Sequence, residues 1–148
     1  MQLEGKAALI TGGGRGIGRS IALAYAKEGA RLGLAARTGS ELEETARQVM
    51  ALGAQACVLL ADITDEYQVQ HMVEGTLERF SSIDILVNNA GMVGPVGALQ
   101  DNNIFHWGQT IQINVIGVFL CCKAVLPTML AQDRGKIINM SGVGGRNM

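Results

Sequence analysis

The sequence predicts a doubly wound α/β fold, a parallel sheet with helices on both faces, and three observations predict it. Short apolar runs alternate with longer segments whose apolar residues recur at helical spacing. The short runs lack a polar face, as strands covered on both sides do. Five of the 20 glycines crowd into residues 12–18, where the first short run meets the first periodic segment.

Ala7, Ala8, Leu9 and Ile10 form the first strand candidate, which ends in Thr11 and the glycines. Residues 17–27 carry Ile17, Ile21, Leu23, Ala24 and Tyr25 at helical spacing, with Gly29 as the stop. Residues 32–36 form the second strand candidate. Ser40 and Glu43 have the spacing of a capping box, and Leu42, Ala46, Val49 and Met50 continue the helical period up to Gly53. Residues 56–61 read as the third strand. Thr64 is expected to cap a helix through Met72, Val73 and Leu77 to Phe80, and residues 83–87 read as the fourth strand. Residues 91–103 read as a loop. A long helix that begins in an uncharged segment then runs to Leu130, broken or kinked at Pro127, before a fifth strand at residues 136–140. No linker, repeat or low-complexity stretch divides the sequence, so residues 1–148 are expected to form one domain.

Composition narrows the class of function. With 48% hydrophobic and 17% charged residues among 148, the chain is neither disordered nor collagenous. A core of this size buries about two-thirds of the unfolded chain's surface. Twelve Lys and Arg against 13 Asp and Glu give a net charge of −1, which supplies no field for nucleic acid or an anionic membrane. Residues 102–122 carry no formal charge, but His106, Gln109, Gln112 and Asn114 interrupt the run, so a buried helix is expected there and not a membrane span. Trp107, Met129 and Met140 are expected to be packing residues. Cys57, Cys121 and Cys122 are odd in number, and the N-terminus has no basic stretch leading into an apolar one, so a reducing, cytoplasmic location is expected. His71 and His106 have no partners at ligand spacing, and no metal site is expected.

The run Thr11, Gly12, Gly13, Gly14, Arg15, Gly16, Ile17, Gly18 carries the strongest chemical signal. Glycines at a strand-to-helix turn let the backbone approach a pyrophosphate while the helix N-terminus offers free N–H groups to it. The spacing is not G-x-G-x-x-G, and a purely structural bend is the competing reading. Gly12, Ala36, Asp62, Asn89 and Ser141 all follow strand candidates, which places them on the ligand-binding edge of an open parallel sheet.

This pattern resembles the short-chain dehydrogenase/reductase family, whose fingerprint T-G-x-x-x-G-x-G is matched by Thr11, Gly12, Gly16 and Gly18. Asn88, Asn89, Ala90 and Gly91 match the family's N-N-A-G. Asp62 matches its adenine-facing acid, and Asn114 its catalytic-site asparagine. The resemblance implies a Rossmann-like fold, with Gly14, Arg15, Ile17 and Ile63 completing the cofactor-binding set. Two of these assignments have structural rivals: Asn88 and Asn89 can tie neighbouring strands, and Asp62 can cap the next helix.

An acidic residue after the second strand would hydrogen-bond the ribose diol of NAD, but this chain has Ala36 and then Arg37 there. With Arg37 and Arg15 available to a 2′-phosphate, NADP(H) is the preferred cofactor and NAD(H) the second candidate. The competing reading leaves both arginines as solvated surface charges.

The resemblance also implies hydride transfer between nicotinamide and a small-molecule carbonyl or alcohol, through a Tyr-x-x-x-Lys pair and a serine. Tyr25 and Tyr67 are not followed by lysine at the fourth position, and Met148 precedes the place where the pair is expected. The expected catalytic residues within the chain are Asn114 and Ser141. By alignment the substrate-touching serine falls on Gly142, so Ser141 either contacts substrate or only bonds the turn. A second glycine cluster, Gly142, Gly144 and Gly145, is expected to be the loop where the catalytic apparatus begins. The chain is accordingly expected to be C-terminally incomplete and catalytically incompetent by itself. Its apolar face near Ile116, Phe119 and Leu120 is then uncovered and prone to aggregate, whereas the full-length form is expected to be a homo-oligomer. Two alternatives remain, a non-catalytic dinucleotide-binding or regulatory module and a methyltransferase using S-adenosylmethionine, the latter lacking a role for residues 11–18 and 88–91.

Overall fold

A computed structural model describes residues 1–142; Gly144 and Gly145 of the second glycine cluster lie outside the described residues. Five strands, β1 (Ala7–Thr11), β2 (Arg31–Ala36), β3 (Ala56–Leu60), β4 (Ile85–Asn88) and β5 (Lys136–Asn139), form one wholly parallel sheet in the order β3-β2-β1-β4-β5. The predicted doubly wound α/β architecture is therefore the observed one, with strand ends displaced by one or two residues. The chain winds outward from β1 to β3, returns, and continues on the other side of β1. That reversal opens a crevice at the carboxyl ends of β1 and β4.

Successive residues of β1 serve opposite faces, as the period of two requires. Ala8 and Ile10 pack with Leu32, Leu34, Ile85 and Val87 beneath α1 (Gly16–Lys27) and α2 (Gly39–Ala51), which contribute Ala22, Ala26, Leu42, Ala46 and Val49. Leu9 and Leu86 face α3 (Glu66–Phe80) and α5 (Val118–Ala131), meeting Val69, Met72, Val73, Val125 and Met129. Leu9, Ile10, Leu32, Leu34 and Leu86 have no exposed surface, and burying each such side chain stabilises the fold by about 1.5–3 kcal/mol. At the amino end of the sheet, Asp84 accepts hydrogen bonds from the Ala7 N–H at 3.0 Å and from Arg134 Nε at 3.0 Å. Burial pushes its carboxyl up, but these two bonds and the charges of Lys6 and Arg134 outweigh that and hold it below the usual carboxylate range.

Several local expectations need correction. Ser40 and Glu43 do not form a capping box: the N-cap of α2 lies two residues earlier, at Thr38, and makes no side-chain cap. Thr64 does not cap α3. Its hydroxyl donates instead to Asp62 at 2.8 Å, and Asp65 takes the cap, accepting from the Gln68 N–H at 3.1 Å. The loop after β4 contains a short 3₁₀ turn at Leu99–Asp101.

The long helix is not broken at Pro127. α5 runs through it to Ala131, and the buried Val125 and Met129 anchor the turns on either side of it to the core. Its irregularity lies upstream, where Gln112–Gly117 forms a π-helical segment between α4 (Ile104–Ile111) and α5. Nor is the uncharged stretch buried throughout. α4 buries no residue: Phe105 and Trp107 on it are exposed, as are Phe119 on α5 and Met140 after β5, whereas Leu120, placed on the open face by the sequence, is buried. Ile104–Ala131 is the one helix among the described residues long and apolar enough to cross a membrane.

Candidate functional site

The crevice at the carboxyl ends of the strands holds a cleft of about 580 Å³, within the range of small-molecule sites. Its floor is the glycine turn between β1 and α1. Gly12 has φ +65°, a conformation that β-substituted residues rarely adopt. Gly18 in the first turn of α1 sits directly behind it, and a Cβ there would collide with the Gly12 carbonyl oxygen. Glycine at both positions lets helix and strand close to contact, leaving the first N–H groups of α1 without helical partners at the cleft.

The turn is held by hydrogen bonds to residues almost 80 positions away. Thr11, 1% exposed, accepts through Oγ1 from the Asn89 N–H at 3.1 Å and the Ala90 N–H at 3.0 Å, and donates to the Val87 carbonyl at 3.4 Å. Asn89 Nδ2 donates to the carbonyls of Thr11 and Gly12 at 3.1 and 3.2 Å. Thr11 and Asn89 therefore build the site's frame; Asn89 also lines the cleft, as do Ala90 and Gly91. Asn88 follows the strand-tying alternative, donating to Asn139 Oδ1 of β5 at 2.9 Å.

Of the residues singled out from the sequence, Gly12, Gly14, Arg15, Gly16 and Ile17 line the cleft on one side, and Arg37, Asp62 and Ile63 line it on the other. Thr11 and Gly18 lie behind the lining. Asp62 accepts from the Thr64 N–H at 2.9 Å and stands 4.0 Å from Arg37. Sequence reasoning missed Thr38 and Glu41, which enter the cleft at the start of α2, and Gln109 and Ile113, which enter from α4 and the π-helical segment. Glu41 stands 3.9 Å from Arg15, so each arginine at the cleft faces a carboxylate. The signal that could have found Glu41 is its place one turn into the helix that follows Arg37.

The two expected catalytic residues stand apart from this lining. Asn114, in the π-helical segment, spends its amide on the loop after β4, accepting from the Met92 N–H and donating to the Met92 carbonyl, both at 2.9 Å. Ser141 is exposed and follows the end of β5.

Comparison with known proteins agrees with this geometry. The family model described as short chain dehydrogenase matches residues 6–148. A 3-oxoacyl-[acyl-carrier-protein] reductase of Synechocystis sp. is 37% identical over 97% of this chain, which spans 58% of that protein. An NAD+-bound xylitol dehydrogenase superposes with a TM-score of 0.95 at 33% identity, over 99% of this chain and 56% of its own. A metagenomic short-chain oxidoreductase in complex with NADP gives 0.91 at 34% identity, over 100% of this chain and 67% of its own. The sheet order, the glycine turn pinned by Asn89 and these matches together establish that the chain belongs to the short-chain dehydrogenase family.

Proposed function

We propose that this chain supplies the dinucleotide-binding part of an NADP(H)-dependent oxidoreductase acting on a small carbonyl or alcohol. The observation that carries the proposal is the convergence of the glycine turn, Arg37, Asp62 and Asn89 on one cleft at the strand-order reversal. The glycine approach fits a pyrophosphate, because any side chain at Gly18 would push α1 off the turn. The carboxyl end of β2 presents Ala36 and Arg37 where a ribose-binding acid would favour the unphosphorylated dinucleotide, which supports NADP(H) over NAD(H), with NAD(H) the second candidate.

When bound, the nicotinamide supplies or accepts the hydride. The chain's own residues bind and orient. The first turn of α1 donates to the pyrophosphate, Arg15 and Arg37 meet the 2′-phosphate, and Asp62 and Ile63 border the adenine. Asn114 acts by holding the loop at Met92 beside the nicotinamide end, and Ser141 contacts substrate or the turn after β5. No tyrosine in the sequence has a lysine four residues on, so the 148 residues by themselves are expected to bind the dinucleotide without turning it over. A cytoplasmic, homo-oligomeric full-length protein, with Ile116 and Phe119 facing a partner copy, completes the proposal.

The test is fluorescence titration of the full chain with NADPH and NADH. Tighter binding of NADPH is expected, and tighter binding of NADH would overturn the NADP(H) assignment. The second reading, a non-catalytic dinucleotide-binding module, is favoured by Ser141's place outside the cleft lining. It predicts that no form of the protein, however extended, oxidises NADPH against a panel of ketones and aldehydes.

A further inference from the structure

The adenosine side of the cleft carries two arginines and two carboxylates, and the two ion pairs are built differently. Arg37 faces Asp62 at 4.0 Å, and Asp62 is fixed in place by the Thr64 N–H at 2.9 Å and the Thr64 hydroxyl at 2.8 Å. Arg15 faces Glu41 at 3.9 Å, and the Glu41 carboxylate makes no hydrogen bond among the described residues. The Glu41 backbone, by contrast, is clamped. Its carbonyl lies 3.1 Å from Thr45 Oγ1 and 3.5 Å from Arg19 Nη2, and the Gly14 carbonyl lies 3.0 and 2.6 Å from the same two groups, so Arg19 donates to both carbonyls while the single Thr45 hydroxyl proton is shared between them. A Cβ on Gly14 would stand 2.9 Å from the Glu41 Cβ, so the first turn of α2 is pressed against the glycine turn. Glu41 is thus a carboxylate delivered to a fixed place beside Arg15 but free to swing.

We propose that Glu41 sets how strongly the cleft distinguishes the phosphorylated from the unphosphorylated dinucleotide. In the absence of a 2′-phosphate Glu41 occupies Arg15; a 2′-phosphate, bearing nearly two negative charges, gains that guanidinium only by displacing it. Asp62 does not yield in the same way, because leaving Arg37 would break its two bonds to Thr64. The inference rests on the NADP(H) reading above. Arg19 and Thr45 act through Glu41 as positioning residues, which fix the distance between the glycine turn and α2.

The experiment is calorimetric titration of the full chain and of Glu41→Gln with NADPH, NADH, 2′,5′-ADP and ADP, repeated in an Arg15→Ala background. Glu41→Gln is expected to tighten NADPH and 2′,5′-ADP by about 2- to 5-fold, the worth of one exposed ion pair, and to leave NADH and ADP unmoved. The gain is expected to shrink once Arg15 is gone. Equal changes for both dinucleotides, no change, or a gain undiminished in the Arg15→Ala background would overturn the role of Glu41. A wild-type preference for NADH would overturn the NADP(H) reading alone, since the shift in ratio on Glu41→Gln still decides this one. Absence of binding by wild type to any of the four ligands would overturn both.

Discussion

Thr11→Val removes the hydroxyl that joins the end of β1 to the loop after β4 while keeping the shape of the side chain, so no cavity term enters. Oγ1 accepts two backbone N–H bonds, at 3.0 and 3.1 Å, and donates one weaker bond at 3.4 Å from a position with 1% exposure. Each buried donor left unpaired costs about 1–3 kcal/mol. The Asn89 N–H keeps the Val87 carbonyl at 3.1 Å as a second acceptor, so only the half-buried Ala90 N–H is left without one, and a total of about 1–2 kcal/mol is expected. For a chain of this size that is a fall in melting temperature of roughly 2–8 °C. Thr11→Ser keeps the hydroxyl and loses one methyl, at about 1 kcal/mol. Thermal and urea unfolding followed by circular dichroism measure both variants. A Val variant within about 1 °C of wild type, or one perturbed less than the Ser variant, would refute the role given to the hydroxyl.

Three further outcomes test the rest of the fold. Asp84→Ala leaves the Ala7 N–H without its acceptor and is expected to cost about 1–3 kcal/mol in urea unfolding. Because the Asp84 carboxyl is held below its ordinary range, its contribution is complete above the unfolded carboxylate pKa of about 4 and is lost as pH falls through the lower folded value. The stability gap between wild type and Asp84→Asn should therefore close in acid, and a gap unchanged between about pH 6 and pH 3 would contradict it. Burial pushes the Cys57 thiol up to about 11, against a small opposing effect of Arg79, and the Cys121 thiol up to about 12. A disulfide reagent at about pH 8 should label neither until the chain is denatured, and labelling of native Cys121 at the rate of a free thiol would refute its burial.

The architecture was legible because β1, β2 and β4 are short apolar runs that need cover on both faces, and because Thr11 to Gly18 puts its glycines at a strand-to-helix junction. The finer errors have physical causes. Caps depend on the backbone angles of single residues, so Ser40 and Thr64 were each displaced by a neighbour, Thr38 or Asp65, that adopts extended geometry at the helix entrance. A π-helical segment inserts one residue into the ladder without changing composition, so a 3.6-residue period passes over Gln112–Gly117 unmarked. Exposure of α4 was hidden for the opposite reason: apolar residues such as Ile104 and Phe105 look like core residues wherever they lie. Glu41 escaped notice because only the packing of α2 on Gly14 brings it to Arg15.

The placement of β1 between β2 and β4 also bears on the order in which the molecule assembles. β1 meets β2 across one helix, but its other neighbour waits for the chain to return, pairing Ala8 with Ile85. Closing that long loop carries an entropic cost before any contact rewards it, so the first three strands are free to organise while the cleft is still half built. The glycine turn acquires its fixed shape only when Asn89 arrives, 78 residues after Thr11. Dinucleotide affinity during refolding would then serve as a clock for the last long-range step, appearing after helical signal and together with β1–β4 pairing.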